Sequence, residues 1–135
     1  MSAVICGTGS YAPEYIMDND RIAELVETND DWIRERTGIR RRHIAKTETT
    51  TFMAVEAAKG AVENAGISPE EIDLIITATL SSDVILPCTA CEVQKEIGAK
   101  NAAAFDINAA CSGFVIACNM AEAFFAAGQY PTALI

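Results

Sequence analysis

The run DLIITATL at residues 73–80 does most to limit what this chain can become. It is almost continuously apolar and rich in β-branched side chains, the pattern of a strand covered on both faces, as in a parallel sheet. Parallel strands need a crossover between them, usually a helix. The flanking residues supply that alternation. Residues 51–65 carry Phe52, Val55, Ala58, Val62 and Ala65 at helical spacing, and Gly66 stops the helix. Ser68-Pro69-Glu70-Glu71 is a helix-start signature that opens only a short turn. Residues 87–98 read as a helix, 102–107 as a second strand, 112–128 as a long helix and 131–135 as the start of a further strand. Upstream, residues 3–9 (AVICGTG) read as a short buried strand ending in glycines. Two short helical patterns start near Asp18 and Asn29, and residues 39–44 form a candidate strand. The expectation is an α/β fold, βαβαβα in order, with a mostly parallel sheet.

The helix at residues 112–128 is apolar nearly all round, from Phe114, Val115 and Ile116 to Phe124 and Phe125, with Asn119 and Glu122 the interruptions. A helix without a polar face must be buried on all sides, and one sheet covers only one side. The chain also stops at Ile135 inside an apolar strand. Both features lead to the expectation that residues 1–135 are one half of a larger domain, incomplete at the C-terminus.

Half of the 135 residues are apolar, which suits a packed core and argues against disorder. No apolar run approaches the roughly 18 residues of a membrane helix. The first residues show no basic segment followed by an apolar stretch, so a secretory signal is not expected and the cytoplasm is. Five cysteines without such a signal suggest reduced thiols, not a disulfide framework. A net charge of −9 argues against a nucleic-acid partner. Yet Arg34, Arg36, Arg40, Arg41, Arg42 and Lys46 gather six of the ten basic residues in thirteen positions. Such a cluster can hold a local anion such as a phosphate, or simply form a solvated loop.

The strongest chemical signal is Phe105-Asp106-Ile107-Asn108-Ala109-Ala110-Cys111-Ser112-Gly113-Phe114. A strand ends, small residues turn the chain sharply, and a cysteine stands where a helix begins. A helix N-terminus offers free N–H groups and partial positive charge, which favour a thiolate and can hold a developing oxyanion. Cys111 is therefore a candidate nucleophile, against the alternative of a cysteine that merely packs. Its usual partner, a histidine, is represented only by His43 in a basic segment, where a structural or solvated role is expected. Cys88-Thr89-Ala90-Cys91 has redox spacing, but residues three apart share a helix face and core packing is the simpler reading. Gly7-Thr8-Gly9-Ser10-Tyr11-Ala12 fits G-x-G-x-x-A and raises the alternative of a nucleotide-binding oxidoreductase. Pro13 follows at once, no helix opens to receive a pyrophosphate, and no acidic residue ends a second strand. No set of metal ligands is apparent, and no cofactor is implied. Trp32 lies among arginines, so its indole could stack on an adenine while guanidinium groups meet phosphates, or could cover a small core.

Three segments together carry a family resemblance: GTGSYAPE near the start, T-x-D-x-W-I-x-x-R-T-G-I-R-x-R-x-I at residues 28–44, and D-I-N-A-A-C-S-G-F at 106–114. In this order and spacing the chain resembles the β-ketoacyl-acyl-carrier-protein synthase III family. The resemblance implies a thiolase-like fold of two similar halves, of which this chain supplies the N-terminal half, and a homodimer. It implies a decarboxylative Claisen condensation: Cys111 takes an acyl group from a short acyl-CoA, and malonyl-acyl-carrier-protein then condenses with it. By motif position Thr28, Trp32 and Arg36 are implied coenzyme A contacts, and the Cys111 N–H is implied in the oxyanion hole. Leu86 stands where well-studied bacterial members have Phe, at the border of the acyl pocket. The family's catalytic histidine and asparagine fall in the second half. A non-catalytic interaction fragment is the remaining alternative.

Overall fold

The computed structural model describes residues 3–135, which form two compact units. One takes in the chain up to Tyr11 together with Thr49–Ile135, and the other is Ala12–Glu48.

The larger unit is built around β3 (Leu74–Ala78). It pairs in parallel with β4 (Ala103–Ile107) on one side and β5 (Ala133–Leu134) on the other. The Asp73 carboxylate accepts the Thr132 N–H at 3.0 Å and so fixes the start of β5 against β3. Alternation along β3 sends Ile75 to one face, where it joins Val55, Ala58 and Val62 of α3 (Thr50–Ala65) and Ala90 and Val93 of α4 (Thr89–Ile97). Leu74 and Ile76 go to the other face and meet Ala117 of α5 (Gly113–Ala126). All three β3 side chains are buried, each contributing about 1.5–3 kcal/mol. The two-sided burial expected of this strand is thus present.

Gly66 and Gly98 end α3 and α4 in the left-handed conformation that glycine adopts without strain. Thr49 caps α3 through the Phe52 N–H. The Asp83 carboxylate, from the loop after β3, accepts the Thr50 and Thr51 N–H groups at 3.0 and 2.7 Å. Ser68 and Glu71 form the expected capping box on a single 3₁₀ turn.

Residues 3–9 depart from expectation. They form no strand, and Val4 and Ile5 are exposed. A strand needs a neighbour for its N–H and C=O groups, and no described strand runs beside this segment. Its glycines are pressed on α3 instead: a Cβ at Gly7 would lie 2.6 Å from the Ala61 carbonyl oxygen, and one at Gly9 would lie closer still to α3 backbone.

In α5, Gly113, Ala117 and Ala121 are buried, whereas Phe114, Val115 and Ile116 are exposed. One sheet covers one side of this apolar helix, as expected.

The smaller unit pairs β1 (Ile16–Asp18) antiparallel with β2 (Arg41–His43) and carries α1 (Asn19–Ala23) and α2 (Asp30–Thr37). Asp18 caps α1 through the Arg21 N–H, and Asn29 caps α2 through the Trp32 N–H at 2.8 Å. Asn19, 1% exposed, donates to Asp30 and to the Ile39 carbonyl and accepts from Arg42. Arg42 is therefore an internal tie, not part of a free basic surface. No described helix is long and apolar enough to cross a membrane.

Candidate functional site

Strand β4 ends at Ile107, and the chain turns within three residues into a single 3₁₀ turn, Ala110–Ser112, that leads to α5. Ala110 holds φ at +46°, in the left-handed region. For a residue other than glycine that conformation costs on the order of 1–2 kcal/mol, least for the smallest side chains. The Ser112 N–H donates to the Ala109 carbonyl at 3.0 Å, and the Gly113 N–H to that of Ala110. Gly113 lets α5 meet β3 closely, because a Cβ there would come within 2.9 Å of the Ala78 Cβ. Cys111 sits in the middle of this turn with its side chain exposed. It stands two residues before Gly113, the first residue of α5. The expected elbow is present, with a strained residue directly before the thiol.

Strands β3 and β4 are parallel neighbours, so the loops leaving their C-terminal ends emerge at one edge of the sheet. The Cys111 turn is one. The other is the loop after β3, where Leu86 is 83% exposed and followed by a cis bond to Pro87. Ligands of open parallel sheets bind along this edge.

Asp106 was not legible as a functional position. From β4 its two carboxylate oxygens accept the Thr89 and Ala90 N–H groups at 2.9 and 2.7 Å, which caps α4. The residue five positions before Cys111 thereby fixes the helix that follows Leu86-Pro87. A carboxylate that caps a helix seventeen residues upstream leaves no local sequence signature.

The four remaining named cysteines differ in setting. Cys6 is exposed and Cys118 half-buried. Cys88 and Cys91 lie with their sulfurs 3.4 Å apart, and Cys88 packs on the core beside α4. The Cys91 thiol is pushed up from its ordinary value, chiefly by the hydrogen bond with Cys88 and then by burial. Among the described residues no three His, Cys, Asp or Glu side chains gather as a metal ligand set.

In the smaller unit, Trp32 and Arg36 are four apart on α2 and share one face. The Arg36 guanidinium lies 4.6 Å from the centre of the indole, a cation–π stack. Trp32 remains 51% exposed, so the rest of its surface is open. It borders an open groove of about 580 Å³ with Ile22, Val26, Thr28 and Asn29. The Thr28 hydroxyl oxygen is buried and without a hydrogen-bond partner. Buried hydroxyls are seldom left so. The three residues Thr28, Trp32 and Arg36 thus belong to one short segment, two of them lining the groove and the third stacked on the tryptophan. His43 Nδ1 lies within hydrogen-bonding distance of the Pro13 carbonyl, a structural tie inside this unit. The glycines of the G-x-G-x-x-A segment serve contact with α3, and neither a strand precedes them nor a helix follows, which removes the support for a dinucleotide site.

Residues 105–135 match the sequence family described as 3-oxoacyl-[acyl-carrier-protein (ACP)] synthase III. The chain is 52% identical over 134 residues to the β-ketoacyl-[acyl-carrier-protein] synthase III of Clostridium acetobutylicum, covering 99% of this chain and 41% of that protein. The crystal structure of 3-oxoacyl-[acyl-carrier-protein] synthase III from Aquifex aeolicus superposes with a TM-score of 0.90 at 50% identity, over 93% of this chain and 41% of the other. A priming β-ketosynthase from a polyketide biosynthetic pathway follows at 0.88 and 38% identity, over 93% and 38% of the two chains. The chain therefore spans about 41% of the length of the curated relatives it matches, and its mixed helix and parallel-sheet architecture is that of the thiolase-like synthases.

Proposed function

We propose, for a chain that by sequence and by fold belongs to the β-ketoacyl-[acyl-carrier-protein] synthase III family, that it supplies the N-terminal half of the enzyme and that Cys111 is the residue that accepts the acyl group. The observation that carries the proposal is the exposed thiol of Cys111 on a strained turn at the C-terminal edge of parallel strands.

The Cys111 thiolate attacks the carbonyl carbon of an acyl-CoA thioester. The carbonyl oxygen takes up negative charge, and backbone N–H groups at the head of α5, that of Cys111 among them, stabilise it. The tetrahedral species collapses, the bond to the coenzyme A sulfur breaks, and the acyl group stays on Cys111. Malonyl-acyl-carrier-protein then loses carbon dioxide. Its carbanion attacks the acyl carbon, and the Cys111 thiolate leaves with the product, a β-ketoacyl-acyl-carrier-protein, on the carrier. The groups that stabilise the carbanion are a histidine and an asparagine of the second half, as the family resemblance implies. Leu86 borders the acyl pocket, and a branched aliphatic side chain there leaves more room than a Phe. The working enzyme is a homodimer in the cytoplasm.

Trp32 and Arg36 bind the nucleotide end of coenzyme A: the open indole surface stacks on adenine and the guanidinium meets phosphate. Thr28 lines the same groove and contacts the coenzyme there. The test is single-turnover acylation of the full-length enzyme by acyl-CoA. Trp32→Ala and Arg36→Ala each weaken acyl-CoA use by about 1–3 kcal/mol, with the effect in KM and with carrier-protein condensation of a pre-acylated enzyme little changed. Well-folded variants with unaltered acyl-CoA kinetics would leave Trp32 as a packing residue and overturn this part of the reading.

A further inference from the structure

The larger unit contains a pair of nucleophilic groups, Cys88 and Cys91, that acyl transfer by Cys111 does not use. Cys88 is the N-cap residue of α4 and Cys91 lies in its first turn. Cys88 is placed to donate its S–H to the Cys91 sulfur, 3.4 Å away, and Cys91 to donate to the Ala104 carbonyl at 3.8 Å. A disulfide has its sulfurs about 2.05 Å apart and its Cβ atoms about 3.5–4.5 Å apart. Residues three apart on a helix hold their Cβ atoms about 5–6 Å apart, so closure also draws the two Cβ atoms together by about 1–2 Å. The sulfurs close by about 1.4 Å through χ1 rotation together with a movement of the backbone at the helix N-cap, where Cys88 stands. Both residues are half-buried, and neither thiol is sealed in the core.

We propose that Cys88 and Cys91 are an oxidisable dithiol, separate from Cys111, that closes to a disulfide with a peroxide as oxidant. The chemistry balances as a two-electron exchange. Loss of a proton from the pair gives one thiolate, which attacks a peroxide oxygen and breaks the O–O bond, forming a sulfenic acid and releasing hydroxide. The second sulfur attacks the sulfenic sulfur, gives up its proton and expels the oxygen as water. The two thiols are oxidised, hydrogen peroxide is reduced, and the products are one disulfide and two waters.

The same geometry makes the reaction slow at neutral pH. In redox-active Cys-x-x-Cys sites the free N–H groups of the helix stabilise the thiolate. Here the Asp106 carboxylate has taken those of Thr89 and Ala90, and its charge lies close to Cys91. The dithiol is therefore pre-aligned but unactivated, the pattern of a site that responds to sustained oxidant and not of a turnover oxidoreductase.

The test uses full-length enzyme treated with hydrogen peroxide, then alkylated, digested with trypsin and weighed. Cys88 and Cys91 both fall in the tryptic peptide at residues 60–95, apart from Cys111 and Cys118. The expected result is that this peptide becomes lighter by two hydrogens, resists alkylation, and regains two alkylatable thiols on reduction with dithiothreitol. Its rate of closure rises at least about 10-fold from about pH 7 to about pH 9. In Cys88→Ser the Cys91 thiol stays alkylatable or goes on to sulfinic acid, with no disulfide formed. Two thiols that remain alkylatable in the unsubstituted enzyme would overturn the proposal. So would direct conversion of either to sulfinic acid, or a disulfide to any other cysteine.

Discussion

Removing the Asp106 carboxylate tests how the start of α4 is held. In Asp106→Ala, the N–H groups of Thr89 and Ala90 lose their acceptor, and these residues are 2% and 0% exposed. Water does not easily replace the carboxylate at such positions. A buried donor left unsatisfied costs about 1–3 kcal/mol, and loss of a helix cap measured by substitution is about 0.5–2 kcal/mol. The two amides lie on consecutive residues and share one acceptor, so their costs are not additive. The expected destabilisation is about 2–3 kcal/mol. Asp106→Asn keeps one accepting oxygen but turns an NH2 group toward the other N–H, and so should fall about halfway between. Hydrogen exchange on the full-length enzyme reads the effect locally: protection of the Thr89 and Ala90 amides should drop by a factor of about 30 or more in the alanine variant. Denaturant unfolding reports the global loss. If both amides keep their protection and stability changes by less than about 0.5 kcal/mol, Asp106 does not anchor α4 and the account of this strand is wrong.

Other perturbations separate the remaining elements. The Asp83 carboxyl is held below its ordinary value of 3.8 by hydrogen bonds from Thr51 and then Thr50, so it stabilises the start of α3 above that pH and the contribution is lost as the pH falls through the lower, folded value. Protection of the Thr50 and Thr51 amides should therefore exceed that in Asp83→Asn at neutral pH and converge with it in acid; a difference that persists at the acid end would contradict the capping role. Gly9→Ala places a methyl group into α3 backbone, which cannot yield as a side chain tip can, and should destabilise the larger unit by about 1–3 kcal/mol in thermal unfolding. Residues 1–135 expressed alone should give no β-ketoacyl product with acyl-CoA and malonyl-acyl-carrier-protein, since carbanion stabilisation is assigned to the other half; product formation by this chain would overturn that assignment.

How much could be read from the sequence followed from how local each signal is. Residues 73–80 and 102–107 became β3 and β4 because a strand buried on both faces must be apolar along its length, and Leu74, Ile75 and Ile76 are so buried. Helices α3 and α4 end where Gly66 and Gly98 stand, and α2 begins at its Asn29 cap. The elbow at Cys111 was legible because a sharp turn admits few residue types. Residues 3–9 misled for the complementary reason: composition suits a strand, but only a neighbouring strand makes one, and the glycines answer to α3. β1 at Ile16–Asp18 was missed because three residues are too few for a periodic pattern, and its pairing with Arg41–His43 is long-range. The cap by Asp106, the tie of Arg42 to Asn19 and the stack of Arg36 on Trp32 differ in the same way. The last joins residues four apart on one helix and was open to sequence reasoning; the first two join positions seventeen and twenty-three residues apart.

Site-resolved mass spectrometry reads the role of Cys111 at the atom that would carry the acyl group. The full-length enzyme, exposed briefly to acyl-CoA without malonyl-acyl-carrier-protein, should carry one acyl group in thioester linkage on the peptide that contains Cys111. None should appear in Cys111→Ser after the same exposure. Adding malonyl-acyl-carrier-protein to the acylated enzyme should clear the label from Cys111 and yield β-ketoacyl product. An acyl group on Cys88, Cys91 or Cys118 that the carrier substrate discharges, with Cys111 unmodified, would contradict the account.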